Sequence, residues 1–173
     1  MVRKIILVGY MGVGKSVIAQ KLSHHLKIDS YDVDDLIEDR LKLKVSEIFK
    51  LKGEISFRKA EHEVFKEYIE NDKTFVMSTG GGTPCYFNNY SYLNNKNVVS
   101  IYLNASIETL YKRIINEKNK RPLVSSISND ELKEFIGKHL FERNYFYNQA
   151  KYKVDVDGKT TDEILAEIVS FLD

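Results

Sequence analysis

The chain has 173 residues, of which 43% are hydrophobic and 29% charged, and its formal net charge is +1. This length suits one buried core, so we expect a single domain over residues 1–173. The balanced charge gives no reason to expect nucleic acid or an anionic membrane as a partner, and the apolar runs are too short to span a bilayer. Residues 1–4 lead directly into a strand-like run and leave no room for a signal peptide. We therefore expect a cytosolic protein, and we take it to be a monomer.

Short runs of β-branched and apolar residues alternate with longer segments of helical periodicity, which predicts an α/β fold built on a parallel sheet. The predicted strands are residues 5–8, a weaker run at 28–33, and residues 75–77, 98–103 and 152–156. The predicted helices are residues 15–26, 34–41, 45–51, 54–71, 107–116, 129–149 and 161–172. Because a βα unit usually needs one helix, some helices between the second and third strands should cap the strand ends. Residues 116–126 have loop composition and contain a helix-breaking proline, so we expect a mobile flap there.

A phosphate-binding loop is the most specific motif of the chain. Residues 9–16 read G-Y-M-G-V-G-K-S and satisfy G-x-x-x-x-G-K-[ST] between a predicted strand and a predicted helix. Its glycines let backbone N–H groups converge on phosphate oxygens at a helix N-terminus, whose dipole favours negative charge. Lys15 then reaches the β- and γ-phosphates, and the Ser16 hydroxyl binds Mg²⁺. The residues predicted to bind the nucleotide here are Gly12, Val13, Gly14, Lys15, Ser16 and Val17.

The motif for guanine recognition is incomplete. A GTPase needs N-K-x-D, and the nearest match, residues 95–98, ends in Val98 instead of an aspartate. A D-x-x-G sequence at 155–158 lies far too late in the chain for a GTPase switch. We therefore expect ATP, with Mg²⁺, as the nucleotide.

An acidic partner for the magnesium ion must come from an unusual place. The predicted strand at 75–77 runs into glycines, so the nearest acids at a strand end are Asp32 and Asp34. These aspartates have an alternative role as helix caps, and Asp35 with Glu38 has capping-box chemistry. Two acids separated by one residue exceed what a cap requires, which favours a functional role.

The glycine triplet, residues 80–82, follows the third predicted strand. Open parallel sheets bind ligands at this edge, and three glycines allow a close backbone approach with N–H groups offered to an anion. A plain tight turn is the alternative. Arg58 has Glu61 three residues further on, close enough to orient its guanidinium, but by itself it has the pattern of a surface ion pair.

Taken together, these residues resemble the shikimate kinase family over nearly the whole chain. The resemblance rests on motifs in the family's order and approximate spacing: G-V-G-K-S at 12–16, D-V-D at 32–34, I-F at 48–49, F-R at 57–58, G-G-G at 80–82, R-P-L at 121–123, and Arg143. It implies the P-loop fold of the nucleoside monophosphate kinases, with a three-layer, five-stranded parallel sheet flanked by helices. It also implies a substrate-binding helical region at 33–61 and a lid at 116–126. The implied reaction transfers the γ-phosphoryl group of ATP to the 3-hydroxyl of shikimate, in the route through chorismate to aromatic amino acids.

The resemblance implies roles at the acceptor end of the site. Asp34 would accept hydrogen bonds from the shikimate diol and position the attacking hydroxyl. Arg58 and Arg143 would clamp the carboxylate, with backbone N–H groups added by the glycine triplet, Gly80, Gly81 and Gly82. The ring would be walled by two aromatic residues, Phe49 and Phe57.

At the nucleotide end the resemblance implies three further roles. Asp32 would hold Mg²⁺ through water, Arg113 would pack on the adenine, and Arg121 would be the lid arginine that reaches the phosphates. Lys15, Asp34 and Arg121 are thus the predicted catalytic residues.

The chain departs from the family pattern after Arg143. The proline, leucine and glutamate usual there are replaced, although Tyr147 and Ala150 are kept. Two alternatives remain open at this stage. One is another small-molecule kinase on the same fold, such as a gluconate kinase or a nucleoside monophosphate kinase. The other is a module that binds ATP without transferring phosphate.

Overall fold

The computed structural model of the chain describes residues 3–118 and 123–172. The strands are β1 Lys4–Val8, β2 Asp29–Asp32, β3 Phe75–Ser78, β4 Val98–Asn104 and β5 Tyr152–Asp155. The helices are α1 Lys15–Leu26, α2 Val33–Leu41, α3 Val45–Glu70, α4 Ile107–Glu117, α5 Asn129–Tyr147 and α6 Thr161–Ser170. Two short 3₁₀ helices, Thr83–Cys85 and Asn89–Asn94, lie between β3 and β4.

The five strands form one parallel sheet in the order β2-β3-β1-β4-β5. This arrangement confirms the predicted five-stranded parallel sheet, including the weak second strand. All five residues of β1 and all four of β3 are buried, as expected for central strands covered by helices on both faces. The carboxyl ends of β1, β2 and β3 are therefore neighbours, and the phosphate loop, Asp32 and the glycine triplet emerge beside one another.

Side-chain caps fix where several helices begin. In α2, α4, α5 and α6 the side-chain oxygen of the preceding residue accepts a hydrogen bond from a backbone N–H of the first turn, and these residues are Asp32, Ser106, Ser128 and Thr160. The predicted capping box at Asp35 and Glu38 is wrong, because α2 begins behind Asp32. Predicted and observed bounds otherwise differ by a few residues at element ends.

Helix α3 contains the break that the sequence predicted between residues 45–51 and 54–71. Gly53 has φ 80° and ψ 171°, which interrupts the helical backbone. A Cβ at this glycine would meet no atom within 4 Å, so the glycine is needed for its backbone conformation and not for space. The kink divides α3 into two halves, and both contribute residues to the site described below.

The predicted flap is only partly a loop. Residues 116 and 117 belong to α4, whereas residues 123–126 form turns that bury Val124. The prediction of a loop is therefore wrong at 116–117. Arg121 lies outside the described residues. Among the helices in the described part of the chain, none is long and apolar enough to cross a membrane.

Candidate active site

Two clefts lie side by side where β1, β2 and β3 end. The first has a volume of about 620 Å³ and is lined by both halves of α3 and the glycine triplet. The second, of about 560 Å³, is lined by the phosphate loop and the ends of β2 and β3. Of the residues that the structure describes, four line both clefts: Met11, Asp34, Gly80 and Gly81. A ligand in one cleft would therefore meet a ligand in the other beside Asp34.

The second cleft contains nearly all the residues predicted to bind nucleotide and metal: Gly12, Gly14, Lys15, Ser16, Val17, Asp32 and Arg113. Val13 does not line it, because its side chain is buried in the core. The Lys15 ammonium donates to the backbone carbonyls of Gly9 and Tyr10 at 2.7 and 3.0 Å. The Lys15 ammonium is thus bound to carbonyl oxygens of the phosphate loop, and the phosphate oxygens of a bound nucleotide would compete with these carbonyls for it.

Ser16 and Asp32 form a compact oxygen cluster. The Ser16 hydroxyl donates to Oδ2 of Asp32 at 2.8 Å and lies 3.2 Å from Oγ of Ser78. Oδ1 of Asp32 accepts the backbone N–H of Asp34 at 3.0 Å, so this carboxylate also caps α2. Mg²⁺ prefers oxygen ligands and keeps several waters, so a hydroxyl, one carboxylate and phosphate oxygens fit it. In the described ranges no three His, Cys, Asp or Glu side chains are grouped as a protein-only metal site.

Arg113, on α4, lies against the back of the phosphate loop. Its Nη1 donates to the carbonyl of Val13 at 2.9 Å. This bond holds the guanidinium at the edge of the second cleft, where Asn116 and Glu117 of the same helix also line the wall. The predicted stacking of Arg113 on adenine stays a prediction.

All eight residues predicted to bind the acceptor line the first cleft: Asp34, Phe49, Phe57, Arg58, Gly80, Gly81, Gly82 and Arg143. The aromatic pair is in contact, since the ring centroids of Phe49 and Phe57 are 4.6 Å apart. The two arginines are buried, with only 5% of Arg58 and 6% of Arg143 exposed. The cleft thus combines an aromatic wall, two buried cations and one carboxylate.

The pair of Arg58 and Glu61 is buried, so the reading of a surface ion pair is wrong. Glu61 has no exposed surface, and its Oε2 accepts from Nη1 of Arg58 at 2.8 Å. Its other oxygen, Oε1, accepts the Thr83 hydroxyl at 2.7 Å. A buried carboxylate with both oxygens bonded fixes the arginine without leaving an uncompensated charge.

The glycine triplet makes room for the charged residues of the site. A Cβ on its third glycine would lie 2.6 Å from both terminal nitrogens of Arg58. On the second glycine it would lie 3.0 Å from Nη1 of Arg143, and on the first 3.0 Å from Oε1 of Glu61. Real Cβ atoms are essentially never found closer than 3.0 Å to another atom, so Arg58 would have to shift, and the two contacts at 3.0 Å would be unusually tight. The plain-turn alternative therefore does not account for the three glycines, since each one packs against a different charged side chain.

One face of α5 braces the site. His139, Arg143 and Tyr147 are spaced four residues apart, which puts them on one side of the helix. Nδ1 of His139 lies 3.0 Å from the hydroxyl of Tyr10, and the Tyr147 hydroxyl donates to the carbonyl of Gly81 at 2.5 Å. Between these two anchors, the guanidinium of Arg143 lies over the Tyr10 ring, 5.8 Å from its centroid. Arg143 is thus held in the first cleft despite the altered residues that follow it.

Burial raises the pKa of Asp34 to about 7, and the nearby carboxylates of Asp32 and Glu61 act in the same direction. The charges of Lys15 and Arg58 oppose this shift. A carboxyl group whose pKa lies near neutrality, at the junction of two clefts, is characteristic of a functional site.

The sequence matches the family model of shikimate kinase over residues 11–173. The chain belongs to the shikimate kinase family. A shikimate kinase of Flavobacterium johnsoniae is 50% identical over 169 residues, which cover 98% of each chain. The family resemblance seen in the motifs is therefore confirmed.

Solved structures of shikimate kinases share the fold. That of Bacteroides thetaiotaomicron superposes with a TM-score of 0.89 at 32% identity, covering 98% of each chain. A second, from Acinetobacter baumannii and solved in complex with shikimate, also has a TM-score of 0.89, at 26% identity over 99% of this chain and 93% of that one. The predicted P-loop kinase fold is confirmed.

Sequence reasoning missed several residues that line the first cleft: Met11, Glu38, Lys44, Val45, Ser46, Glu61 and Leu123. For Glu61 a signal existed in its spacing from Arg58, but that spacing is the same on a surface and in a core. Tyr10 and His139 had no signal, since 129 positions separate them in the chain.

Proposed function

We propose that this protein transfers the γ-phosphoryl group of ATP to the 3-hydroxyl of shikimate, giving shikimate 3-phosphate and ADP, as a step toward chorismate and the aromatic amino acids. One observation carries the proposal: a cleft with two buried arginines and a cleft with the phosphate loop share Asp34 as a common wall. An acceptor with one carboxylate and several hydroxyls would meet its cations at one end and the γ-phosphate at the other. Membership of the shikimate kinase family supports the same acceptor.

The donor is ATP with Mg²⁺, bound in the second cleft. Residues 12–17 present backbone N–H groups to the phosphates at the start of α1, and Lys15 turns from the loop carbonyls to the β- and γ-phosphates. Ser16 and Asp32 would hold the magnesium ion, which would neutralise charge on the phosphate oxygens. The family pattern implies that Asp32 would hold the ion through a water, and its carboxylate also accepts hydrogen bonds from Ser16 and from the first turn of α2.

The acceptor is shikimate, bound in the first cleft. Arg58 and Arg143 bind its carboxylate, and Phe49 and Phe57 pack against its ring. Asp34 accepts a hydrogen bond from the reacting hydroxyl and aims it at the γ-phosphorus. Phosphoryl transfer has a loose transition state with charge on the equatorial oxygens, so alignment and cations contribute more than a strong base.

The remaining assignments complete the proposal. Arg113 packs on the adenine, Arg121 reaches the phosphates from a lid between α4 and α5, and residues 33–61 form the substrate-binding region. The protein acts as a cytosolic monomer. These assignments follow the family pattern at matching positions of this chain.

An ATP-coupled assay with three acceptors tests the function. The purified protein is incubated with ATP, Mg²⁺ and either shikimate, gluconate or AMP, and ADP release is followed. Of the three acceptors, we expect only shikimate to give ADP release, and phosphorus NMR should then identify a phosphate ester on the 3-hydroxyl. Release with AMP or gluconate but not shikimate would point to another small-molecule kinase. ATP binding without release for any acceptor would point to a nucleotide-binding module.

A further inference from the structure

Arg58 contacts a residue that the proposed mechanism does not use. The ring of Tyr86 lies over the guanidinium, with its centroid 4.2 Å from Cζ, whereas the Phe57 ring is 5.2 Å away. Tyr86 follows the 3₁₀ helix Thr83–Cys85 and is 36% exposed. At 4.2 Å the ring and the guanidinium are in cation–π contact, and such contacts gain strength where the cation is buried.

The same tyrosine holds a nearby carboxylate. The Tyr86 hydroxyl donates to Oε1 of Glu54 at 3.2 Å, and this oxygen is 3.5 Å from Nε of Arg58. Glu54 is the first residue after the kink at Gly53 and lies one helical turn before Arg58. More than half of its side chain, 54%, is exposed, so the hydroxyl of Tyr86 restrains an otherwise mobile anion.

The orientation of the guanidinium decides which of its N–H groups face the cleft. Nη1 is bonded to Glu61, and Nε is buried and has no hydrogen-bond partner among the described residues. An arginine binds a carboxylate through two N–H groups in one plane, so a rotation of that plane weakens the bond. The bond to Glu61 fixes one edge of the plane, and the ring of Tyr86 covers a face.

We propose that Tyr86 is a positioning residue for recognition of the acceptor's carboxylate. Its ring fixes the plane of the Arg58 guanidinium, and its hydroxyl keeps the Glu54 carboxylate beside Nε. Without that hydroxyl, Glu54 is free to leave Nε and to pair with the terminal nitrogens of Arg58 in place of the substrate carboxylate. This inference rests on the proposed function, because it assigns the bound carboxylate to shikimate.

The test compares Tyr86→Leu and Tyr86→Phe with the wild type, by steady-state kinetics and by calorimetric binding of shikimate. The leucine variant removes both effects, and we expect KM and Kd for shikimate to rise about tenfold. The phenylalanine variant keeps the ring, and we expect a rise of about threefold. In both variants kcat and the KM for ATP should stay within about twofold of the wild type. The lost interaction stabilises bound shikimate equally in the ground state and in the transition state, so its loss raises KM for shikimate and not the barrier to transfer.

Two further variants separate positioning from folding. Phe87→Leu changes the neighbouring aromatic residue, which stacks on His62 instead of Arg58, and should leave every kinetic constant unchanged. Adding Glu54→Gln to Tyr86→Phe should restore most of the affinity for shikimate, since the competing charge is gone. A structural role would not give this rescue.

The outcomes are distinguishable. A wild type that does not phosphorylate shikimate overturns the proposed function and this inference with it. An active wild type whose Tyr86 variants bind shikimate normally, or lose kcat and ATP binding together with thermal stability, overturns the inference alone. If Tyr86→Leu does not fold, Tyr86→Phe and the double variant Tyr86→Phe with Glu54→Gln still test the inference. If the double variant does not regain affinity for shikimate, the proposed competition between Glu54 and the substrate carboxylate is contradicted.

Discussion

The hydroxyl of Tyr10 and Nδ1 of His139 lie 3.0 Å apart, and this hydrogen bond joins the phosphate loop to helix α5. The carbonyl of Tyr10 accepts from Lys15, and His139 is one helical turn before Arg143. The bond therefore connects the residue expected at the phosphates with a residue expected at the acceptor's carboxylate. The rings of Tyr10 and His139 also pack edge to face, with their centroids 5.5 Å apart.

Removal of this hydroxyl should loosen both ends of the site. We expect Tyr10→Phe to lower the free energy of unfolding by about 1 kcal/mol, the usual net value of one hydrogen bond. KM should rise modestly for ATP and for shikimate together. Urea unfolding and steady-state kinetics measure these effects, with Tyr145→Phe, an exposed residue of α5, as the control. A loss confined to one substrate would show that the bond does not link the two clefts.

His139 should make stability depend on pH. Burial lowers its pKa to about 4, helped by the charges of Arg143 and Arg58 and opposed by Glu54. In the unfolded chain the pKa returns to about 6.5, so between these values the unfolded state binds the extra proton. The stability that depends on a neutral His139 is full above pH 6.5 and is lost as the pH falls toward 4.

Urea unfolding from pH 4 to pH 8 checks this dependence. The wild type should lose more stability than His139→Leu as the pH falls from about 6.5, because the variant has no proton to bind at this position. The comparison with the variant cancels the titration of Asp34 and the other carboxylates. Parallel curves for the two proteins would contradict the account.

The raised pKa of Asp34 predicts an acidic limb in the rate profile. In the free enzyme this pKa is about 7, and the charged carboxylate is the stronger acceptor for the hydrogen bond from the reacting hydroxyl. The value of kcat/KM for shikimate should therefore fall tenfold for each pH unit well below about 7. The profile is measured between pH 5 and 9 with Mg²⁺ present and ATP held well below its KM, so that it reports the enzyme without bound nucleotide. A kcat/KM that stays constant down to pH 5 would contradict a functional Asp34 carboxylate that loses its charge near pH 7.

A methyl group at Gly82 should displace Arg58. The Cβ of Gly82→Ala would lie 2.6 Å from both terminal nitrogens, so the guanidinium must move. We expect KM for shikimate to rise at least about tenfold with little change in KM for ATP, because the arginine loses its bidentate geometry. Gly137→Ala on α5 is the matched control, since its Cβ would be 3.4 Å from Ile107, an ordinary contact. Normal shikimate kinetics for Gly82→Ala would refute a role for Arg58 in acceptor binding.

Much of the fold was accessible from local patterns. The central strands are short apolar runs, and the phosphate-loop motif predicts a strand before it and a helix after it. The break in α3 at Gly53 was predicted, with residues 45–51 and 54–71 as two separate helices. The boundary at 116–117 was not, because asparagine, glutamate and lysine suit a helix end and a loop equally well.

The site was less accessible because its contacts join distant parts of the chain. The position of Arg58 was predicted, but its burial was not, since burial depends on Glu61, Thr83 and the glycine triplet converging from three elements. The triplet itself was interpreted as a backbone that approaches a ligand. Its tight packing against charged side chains is a steric reason that only the folded structure reveals.

The most direct test of the account is the behaviour of Asp34→Asn, because Asp34 is the wall shared by the two clefts. The amide keeps the size of the carboxylate but not its charge, and Asp35→Asn, exposed on the same helix, is the control. We predict that kcat with shikimate falls at least about 100-fold, while the Kd for ATP measured by calorimetry changes less than about threefold. Asp35→Asn should match the wild type in both. Full turnover by Asp34→Asn would contradict the central claim that this residue aligns the acceptor with the γ-phosphate.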